Sequence, residues 1–548
     1  MLMDVSRRWL VALAATLIVA GCGGGNEGRT TNPEDGVVLY RGNGYEPNTL
    51  DPHQANGTWE NNIIGDMLIG LYTENADGIP ELGSAVEHTI SEDSLTHTFK
   101  IREDMTWSDG TTVTAHDFVY SWQRILKPET AAPYASILFA FKNARAVNEG
   151  TMSPDALGAQ AIDDKTLVLE VEQPTPFINA LLMHYTAFPV PKHKVEELGD
   201  DWVKPGSIVT NGAYYATEWR PNSHIKLVKN EKFYDAENVA IDTVYYQPIG
   251  DVSAAFRSFR AGEIDTNSCS QCYPIQQVKL IDDIMPGVKR NEVVLSTSYL
   301  TFNTDIKPFD DPRVRRALSL AIDREVMTSQ VLRAGEIPAY ALVPPGIDNY
   351  IDTPPVMEEA TQTHQERIAT AKALLAEAGY DESNPLTINV KYRLSGDRKA
   401  IMIAMQDMWK RIGVDAKLEG KEPKVAYADY RADNFEVADA GWVADYNDPD
   451  NFLFLAKGDT GAINYANYKN PEFDRLMTEA NSLQDMARRA ELMAEAEALM
   501  LADMPIAPIY FSVNRNLVGL HVEGWNDNVV GIQRTRWLSI DESKRRRY

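Results

Sequence analysis

Between residues 36 and 548 the spacing of apolar positions alternates between two residues and three to four, and each change marks an element. The apolar run Val37-Val38-Leu39-Tyr40 predicts a first strand. After Trp107, Ser108-Asp109-Gly110 is a turn. Thr114-Ala115-His116-Asp117 then has the form of a capping box, opening a helix through Phe118, Tyr120 and Trp122. Asp310-Asp311-Pro312 supplies a cap and a first-turn proline, after which Val314, Ala317, Leu318, Ala321 and Ile322 form one helical face. Two more helices are predicted at 365–378, stopped by Gly379, and at 399–412, stopped by Gly413. Runs rich in β-formers at 386–390 and 506–510 predict strands, and no repeat of fixed period is present. Strands alternating with helices predict a mixed α/β protein.

The N-terminus has a different character. Arg7 and Arg8 precede an apolar run over residues 9–20, which ends in Val19-Ala20-Gly21-Cys22. A basic start, a short apolar stretch and small residues at a cleavage point make residues 1–21 a signal peptide. The run is shorter than the roughly 20 residues a spanning helix needs. Small residues directly before a cysteine resemble the lipobox of bacterial lipoproteins, so Cys22 is the expected lipidation site and new N-terminus. Residues 22–35, rich in glycine and polar side chains, are expected to be a flexible tether.

A chain of 548 residues exceeds what one core normally organises, so several domains are expected. A net charge of -26 argues against nucleic acid and other polyanions, which need clustered cations. Besides Cys22 there are only Cys269 and Cys272. A Cys-x-x-Cys pair can be a redox centre or half a zinc site. With no second pair and no thioredoxin-like context, a small structural disulfide is the favoured reading. No catalytic motif stands out, and His184 and His193 are too far apart for a same-face metal pair, so neither an enzyme nor a metal centre is expected.

Several blocks resemble the peptide branch of the bacterial extracellular solute-binding proteins, and in the same order. They are Leu50-Asp51-Pro52-His53, the run WSDGTTVTAHDFVYSWQR at 107–124, Asn211-Gly212-Ala213-Tyr214, Gly262-Glu263-Ile264-Asp265, residues 309–323, and Gly441-Trp442-Val443-Ala444-Asp445-Tyr446-Asn447. The resemblance covers nearly the whole mature chain. It implies an α/β fold of the periplasmic-binding-protein type, with three domains in two lobes that close on ligand by a hinge. Domain I would combine residues 36–69, 194–298 and 513–548; domain II would be 70–193 and domain III 299–512. It also implies short peptides as ligands, an ABC importer's permease and ATPase as partners, and a monomer attached to the membrane only through its N-terminal lipid, in the periplasm or on the outer face of the membrane. No cofactor is implied.

A receptor for many peptide sequences must bind what peptides share, which is the backbone and the charged ends. An added β-strand satisfies the backbone, a carboxylate answers the ammonium, and cations answer the terminal carboxylate. The resemblance gives Asp445 the ammonium and the strand Gly441-Trp442-Val443 the backbone. Taken alone, residues 444–449 are a turn signal. Arg398 and Arg431 occupy two of the family's basic positions, although one lies near a helix start and the other in a charged run, where solvated residues are usual. A third basic position holds Asp439, whose reversed charge would favour a basic ligand side chain or be compensated by Lys424. Tyr134 matches a tyrosine reaching the cleft from domain II, and Thr58 a position near the start of the peptide. The cysteines that bridge two strands in the family correspond here to Ser296 and Val443. Other members of this scaffold carry metal complexes, haem, sugars or cell-wall peptides, which remain alternative ligands.

Overall fold

The computed structural model describes residues 33–268, 272–394 and 396–548. The signal peptide, Cys22, most of the tether and Cys269 therefore lie outside the described residues. Cys272 is buried and disulfide-bonded.

An eleven-stranded mixed sheet runs through the molecule. Its order is Asp415–Lys421, Thr387–Arg393, Val437–Val443, Lys289–Phe302, Ile506–Val518, Thr266–Asn267, Val38–Gly42, Thr243–Gln247, His224–Lys229 and Tyr214–Arg220, with Ile337–Pro338 paired to Ile506–Val518 off this path. Two long antiparallel strands at its centre, Lys289–Phe302 and Ile506–Val518, join different cores. At one end Leu295, Tyr299, Leu300, Phe302, Ile506 and Ile509 pack among residues 295–510. At the other, Leu517 packs with Phe256, Phe259, Tyr273 and Val288. Their pairing shifts register between Val293 and Thr297, and a shift of this kind bends and twists a ladder.

A third body of structure surrounds a separate four-stranded antiparallel sheet in the order Ala85–Ile90, Thr96–Ile101, Thr166–Glu170, Ala159–Asp163. On Thr96–Ile101 every second residue, His97, Phe99 and Ile101, is buried, as a half-covered sheet requires. The helix Ala115–Leu126 covers it with Phe118, Trp122, Ile125 and Leu126, spaced by three or four residues. The expected capping box is formed, since Thr114 donates its backbone N–H to Asp117 Oδ2 at 2.9 Å.

The helix Pro312–Leu320 starts where its cap predicts, with Asp311 Oδ1 accepting from Arg313 N at 2.9 Å. The two helices ended by glycine are His364–Glu377 and Arg398–Lys410. Gly379 and Gly413 follow them at φ of +92° and +81°, a left-handed conformation in which a side chain would be strained. The strands expected at 386–390 and 506–510 extend further, as Thr387–Arg393 and Ile506–Val518. Among the described residues, no helix is long and apolar enough to cross a membrane.

Candidate functional site

The strand Val437–Val443 is paired along its full length on one side only. It pairs antiparallel with Lys289–Phe302 along its full length, from Phe302↔Val437 to Ser296↔Val443, so the two positions that match the family's bridging cysteines face each other across the ladder. Just beyond it, Ala444 donates its N–H to Leu295 O at 2.8 Å. Because backbone groups alternate along a strand, Ala440 and Trp442 point the same way, and Gly441 and Val443 point to the opposite edge. On that edge Thr387–Arg393 pairs only with Val437 and Ala438. From Asp439 onward the edge has no partner strand among the described residues.

The chain then turns at Asp445, and the turn is anchored from below. Asn451 Oδ1 accepts from both Asp445 N at 3.1 Å and Trp442 Nε1 at 2.8 Å. Asp448 receives Arg489 through two hydrogen bonds of 2.7 and 2.9 Å, with both side chains fully buried. The carboxylate of Asp445 itself is partly buried and has no hydrogen bond or ion pair among the described residues. Burial, with no compensating cation, pushes its pKa up to about 7.

Aromatic groups from the smaller-sheet side of the molecule lie within electrostatic reach of this carboxylate. Tyr134 stacks on His184 with ring centres 6.2 Å apart, and His184 lies against Tyr185 at 4.2 Å. Burial first, and then the nearby charge of Asp445, push the Tyr134 hydroxyl up to about 12. Burial, Tyr134 and Asp445 raise Tyr185 in the same way. Phe177 stacks on Tyr446 at 4.3 Å and 8°, a direct contact with the Asp445 turn.

At the strand's other end sits a cationic cluster. Asp439 is buried and paired with Arg393 Nε at 3.0 Å and Arg398 Nη1 at 2.9 Å. Arg398 Nη1 also donates to Ser298 Oγ at 2.6 Å, and Arg393 Nη1 to Tyr427 Oη at 2.5 Å. Burial alone would raise the pKa of Asp439, but the two guanidiniums outweigh it and hold the carboxylate below its usual range. The reversed charge is thus compensated by Arg393 and Arg398. Lys424, one of the two alternatives for balancing Asp439, is exposed on the helix Pro423–Arg431 and makes no ion pair with Asp439 among the described residues. The guanidiniums lie beside the strand, since a Cβ on Gly441 would stand 3.7 Å from Arg393 Nη2 and 3.8 Å from Arg398 Nη2.

The structure therefore brings Asp445 and Tyr134 together at one end of Gly441-Trp442-Val443, and Arg398 and Asp439 at the other. Thr58, exposed in the first turn of Thr58–Met67, and Arg431, exposed at a helix end beside Tyr465, make no hydrogen bond or ion pair with these groups among the described residues. Arg393 and Tyr427 were not among the expected site residues. The available signal was Arg393 at the end of a strand that the sheet sets beside Val437–Val443. Two guanidiniums around one carboxylate carry a net charge of about +1, and the carboxylate of Asp445 lies four residues along from Gly441. Such an arrangement is complementary to an extended ligand with an ammonium at one end.

Residues 79–464 match the family described as bacterial extracellular solute-binding proteins, family 5 Middle. The chain is 39% identical over 494 residues to the periplasmic oligopeptide-binding protein OppA of Salmonella typhimurium, with 90% of each chain covered. It is 37% identical over 501 residues to the periplasmic murein peptide-binding protein MppA of Escherichia coli, covering 90% of this chain and 91% of that one. Among solved structures, the Escherichia coli murein tripeptide binding protein MppA superposes with a TM-score of 0.81 at 35% identity, over 92% of this chain and 99% of that one. Haemophilus influenzae OppA in complex with RPPGFSPFR superposes at 0.79 and 34% identity, again over 92% and 99%. On the matched core, the identity across nearly its full length and the shared fold, this chain belongs to family 5 of the bacterial extracellular solute-binding proteins.

Proposed function

We propose that the protein captures short peptides outside the cytoplasmic membrane and hands them to an ABC importer. The observation that carries this reading is Asp445, a partly buried carboxylate without a cation among the described residues, at the end of a strand whose outer edge beyond Ala438 has no partner strand among them. The peptide would extend the sheet along Gly441 and Val443, with its α-ammonium at Asp445. Tyr134 would close over that end, and Thr58 would lie near it. Lobe closure about the two long strands would then remove the pair from water. The division into domain I (36–69, 194–298, 513–548), domain II (70–193) and domain III (299–512) belongs to this reading; the core around residues 295–510 supports the bounds of domain III, whereas domains I and II share one core. The names of relatives that bind oligopeptides and murein peptides support peptides as the ligand class.

The test is mass spectrometry of whatever is released when protein purified from its native compartment is denatured. Peptides of a few residues are expected, and a homogeneous non-peptide solute would contradict the reading. Anchoring through Cys22 is part of the same proposal. Cys22→Ser is expected to free a soluble, ligand-competent protein, because the tether has no apolar surface to add to a core. Unchanged membrane fractionation of that variant would contradict the anchor.

A further inference from the structure

We propose that Asn451 is a positioning residue for the ammonium site: it holds the backbone of Asp445 so that the Asp445 carboxylate is offered to the ligand and does not cap its own turn. The inference rests on the peptide reading above and names what that reading requires behind Asp445.

Three observations carry it. First, Asn451 is only 1% exposed, and its Oδ1 takes two donors, Trp442 Nε1 at 2.8 Å and Asp445 N at 3.1 Å. Both partners are N–H groups, so the amide oxygen must face them, and both its lone pairs are used. One buried atom thereby ties the strand Val437–Val443 to the residues just beyond it. Second, the segment that carries Asn451 is itself pinned. Asn451 N donates to Asp448 O at 3.0 Å, and the neighbouring Asp450 carboxylate accepts from Tyr446 Oη at 3.0 Å and from Asn481 Nδ2 at 2.8 Å. With Arg489 holding Asp448, Asn451 is a fixed point against which Asp445 is set. Third, two aspartates of one turn behave differently. Asp448 Oδ1 accepts from Asp450 N at 3.0 Å, the bond to the N–H two residues ahead that turn aspartates ordinarily make. Asp445 makes no such bond, and its carboxylate has no hydrogen bond or ion pair among the described residues.

A short acidic side chain in a turn folds back onto nearby backbone N–H groups unless its own backbone is held away from them. A carboxylate used in that way is stabilised in its charged form and lost to the ligand. By accepting from Asp445 N, Asn451 keeps the carboxylate buried and unspent until an ammonium arrives, the state that its pKa of about 7 reflects. The alignment is then present before binding, so less has to be ordered when the peptide enters. The Asn451 side chain also hydrogen-bonds Tyr446, whose ring stacks on Phe177. The same residue therefore joins the ammonium site to the contact with the smaller-sheet side.

The experiment is calorimetric titration of the mature protein, freed of ligand, with trialanine, free and N-acetylated, in wild type, Asn451→Leu and Asn451→Asp. Wild type is expected to prefer the free peptide. Leucine has roughly the bulk of asparagine and no acceptor, so Asn451→Leu should cut that preference by about tenfold to a hundredfold. Asn451→Asp keeps an acceptor in the same place, and most of the preference should survive in it. A purely structural residue would weaken both peptides alike and leave their ratio unmoved. A second measurement needs no variant and stands even if Asn451→Leu does not fold. Hydrogen exchange at the Asp445 amide of wild type, resolved by electron-transfer fragmentation, should show protection with and without peptide. Full preference for the free peptide in folded Asn451→Leu overturns the proposal, and so does an Asp445 amide that exchanges as fast as an exposed loop. A ratio in folded Asn451→Asp as low as in Asn451→Leu also overturns it, since the acceptor is then not what matters. In each of these cases a wild type that prefers the free peptide keeps the peptide reading standing. A wild type that binds the free and acetylated peptides equally well takes down both.

Discussion

Asp445 sits at a pKa of about 7, far above the ordinary 3.8 of an aspartate, because burial disfavours its charge and no cation offsets it. An ammonium beside it would favour the ionised form and pull that value down, so the unliganded protein holds a proton that the complex must release. Peptide affinity is therefore expected to be greatest between about pH 7 and the peptide ammonium's own pKa of about 8, and to fall by about tenfold per unit below pH 7 until the bound-state pKa is reached. The stability of the unliganded protein should move the other way. With the folded pKa raised above the unfolded one, this group's contribution is fully present below about pH 4 and is lost as pH rises through 7. Calorimetry and thermal unfolding at several pH values check both slopes, and Asp445→Asn should remove this residue's share of each. Asp439 makes a contrasting prediction, being a buried acid already paired. Asp439→Asn leaves two guanidiniums without their counterion and is expected to cost about 3–5 kcal/mol in denaturant unfolding. At this scale the sequence was informative about Asp445, because a carboxylate after a strand end sits within a long matching block. It was less so about Asp439, whose partner Arg393 is 46 residues away and pairs with it only once two strands lie side by side.

In the proposed reading the strand Val437–Val443 offers a sheet edge to the ligand, since beyond Ala438 its outward backbone groups have no partner strand among the described residues. A ligand that extends this sheet should be sensitive to its own backbone and tolerant in its side chains. N-methylation at alternate ligand amides, those facing Gly441 and Val443, is expected to weaken binding by about two- to twelvefold each, as one hydrogen bond is worth about 0.5–1.5 kcal/mol. Methylation of the intervening amides should have far less effect, and equal losses at every position would argue against strand addition. The helices around this edge were legible where local chemistry decides them. Caps at Thr114 and Asp311 and glycines at 379 and 413 are short-range signals. The strands were read too short. Lys391 and Arg393 look like solvent-facing charges that end a strand, yet they are buried against Asp429 and Asp439. Beyond Tyr510, Asn514 and Asn516 interrupt the apolar pattern, although the ladder continues opposite Glu292 and Arg290.

Across the whole molecule, the two long strands lie where three bodies of structure meet, and the groups argued to hold a peptide come from more than one of them. Asp445, Arg393, Arg398 and Asp439 lie on the part with residues 295–510, whereas Tyr134, His184 and Tyr185 come from the part with the smaller sheet. Contacts such as Phe177 on Tyr446 already span the two. The sequence could not place these residues together by pattern alone, since 311 positions separate Tyr134 from Asp445; the resemblance supplied that pairing. The most direct test of the account is titration of wild-type and Asp445→Asn protein with one tripeptide, free and N-acetylated. Removing one partner of a pair that closure buries costs about 3–5 kcal/mol, or roughly two to three and a half decades of affinity. Wild type is expected to lose that much on acetylation, and the variant, already without the carboxylate, much less. If wild type binds the free and acetylated peptides equally well, Asp445 does not read an N-terminus, and the peptide assignment gives way to another ligand on the same scaffold.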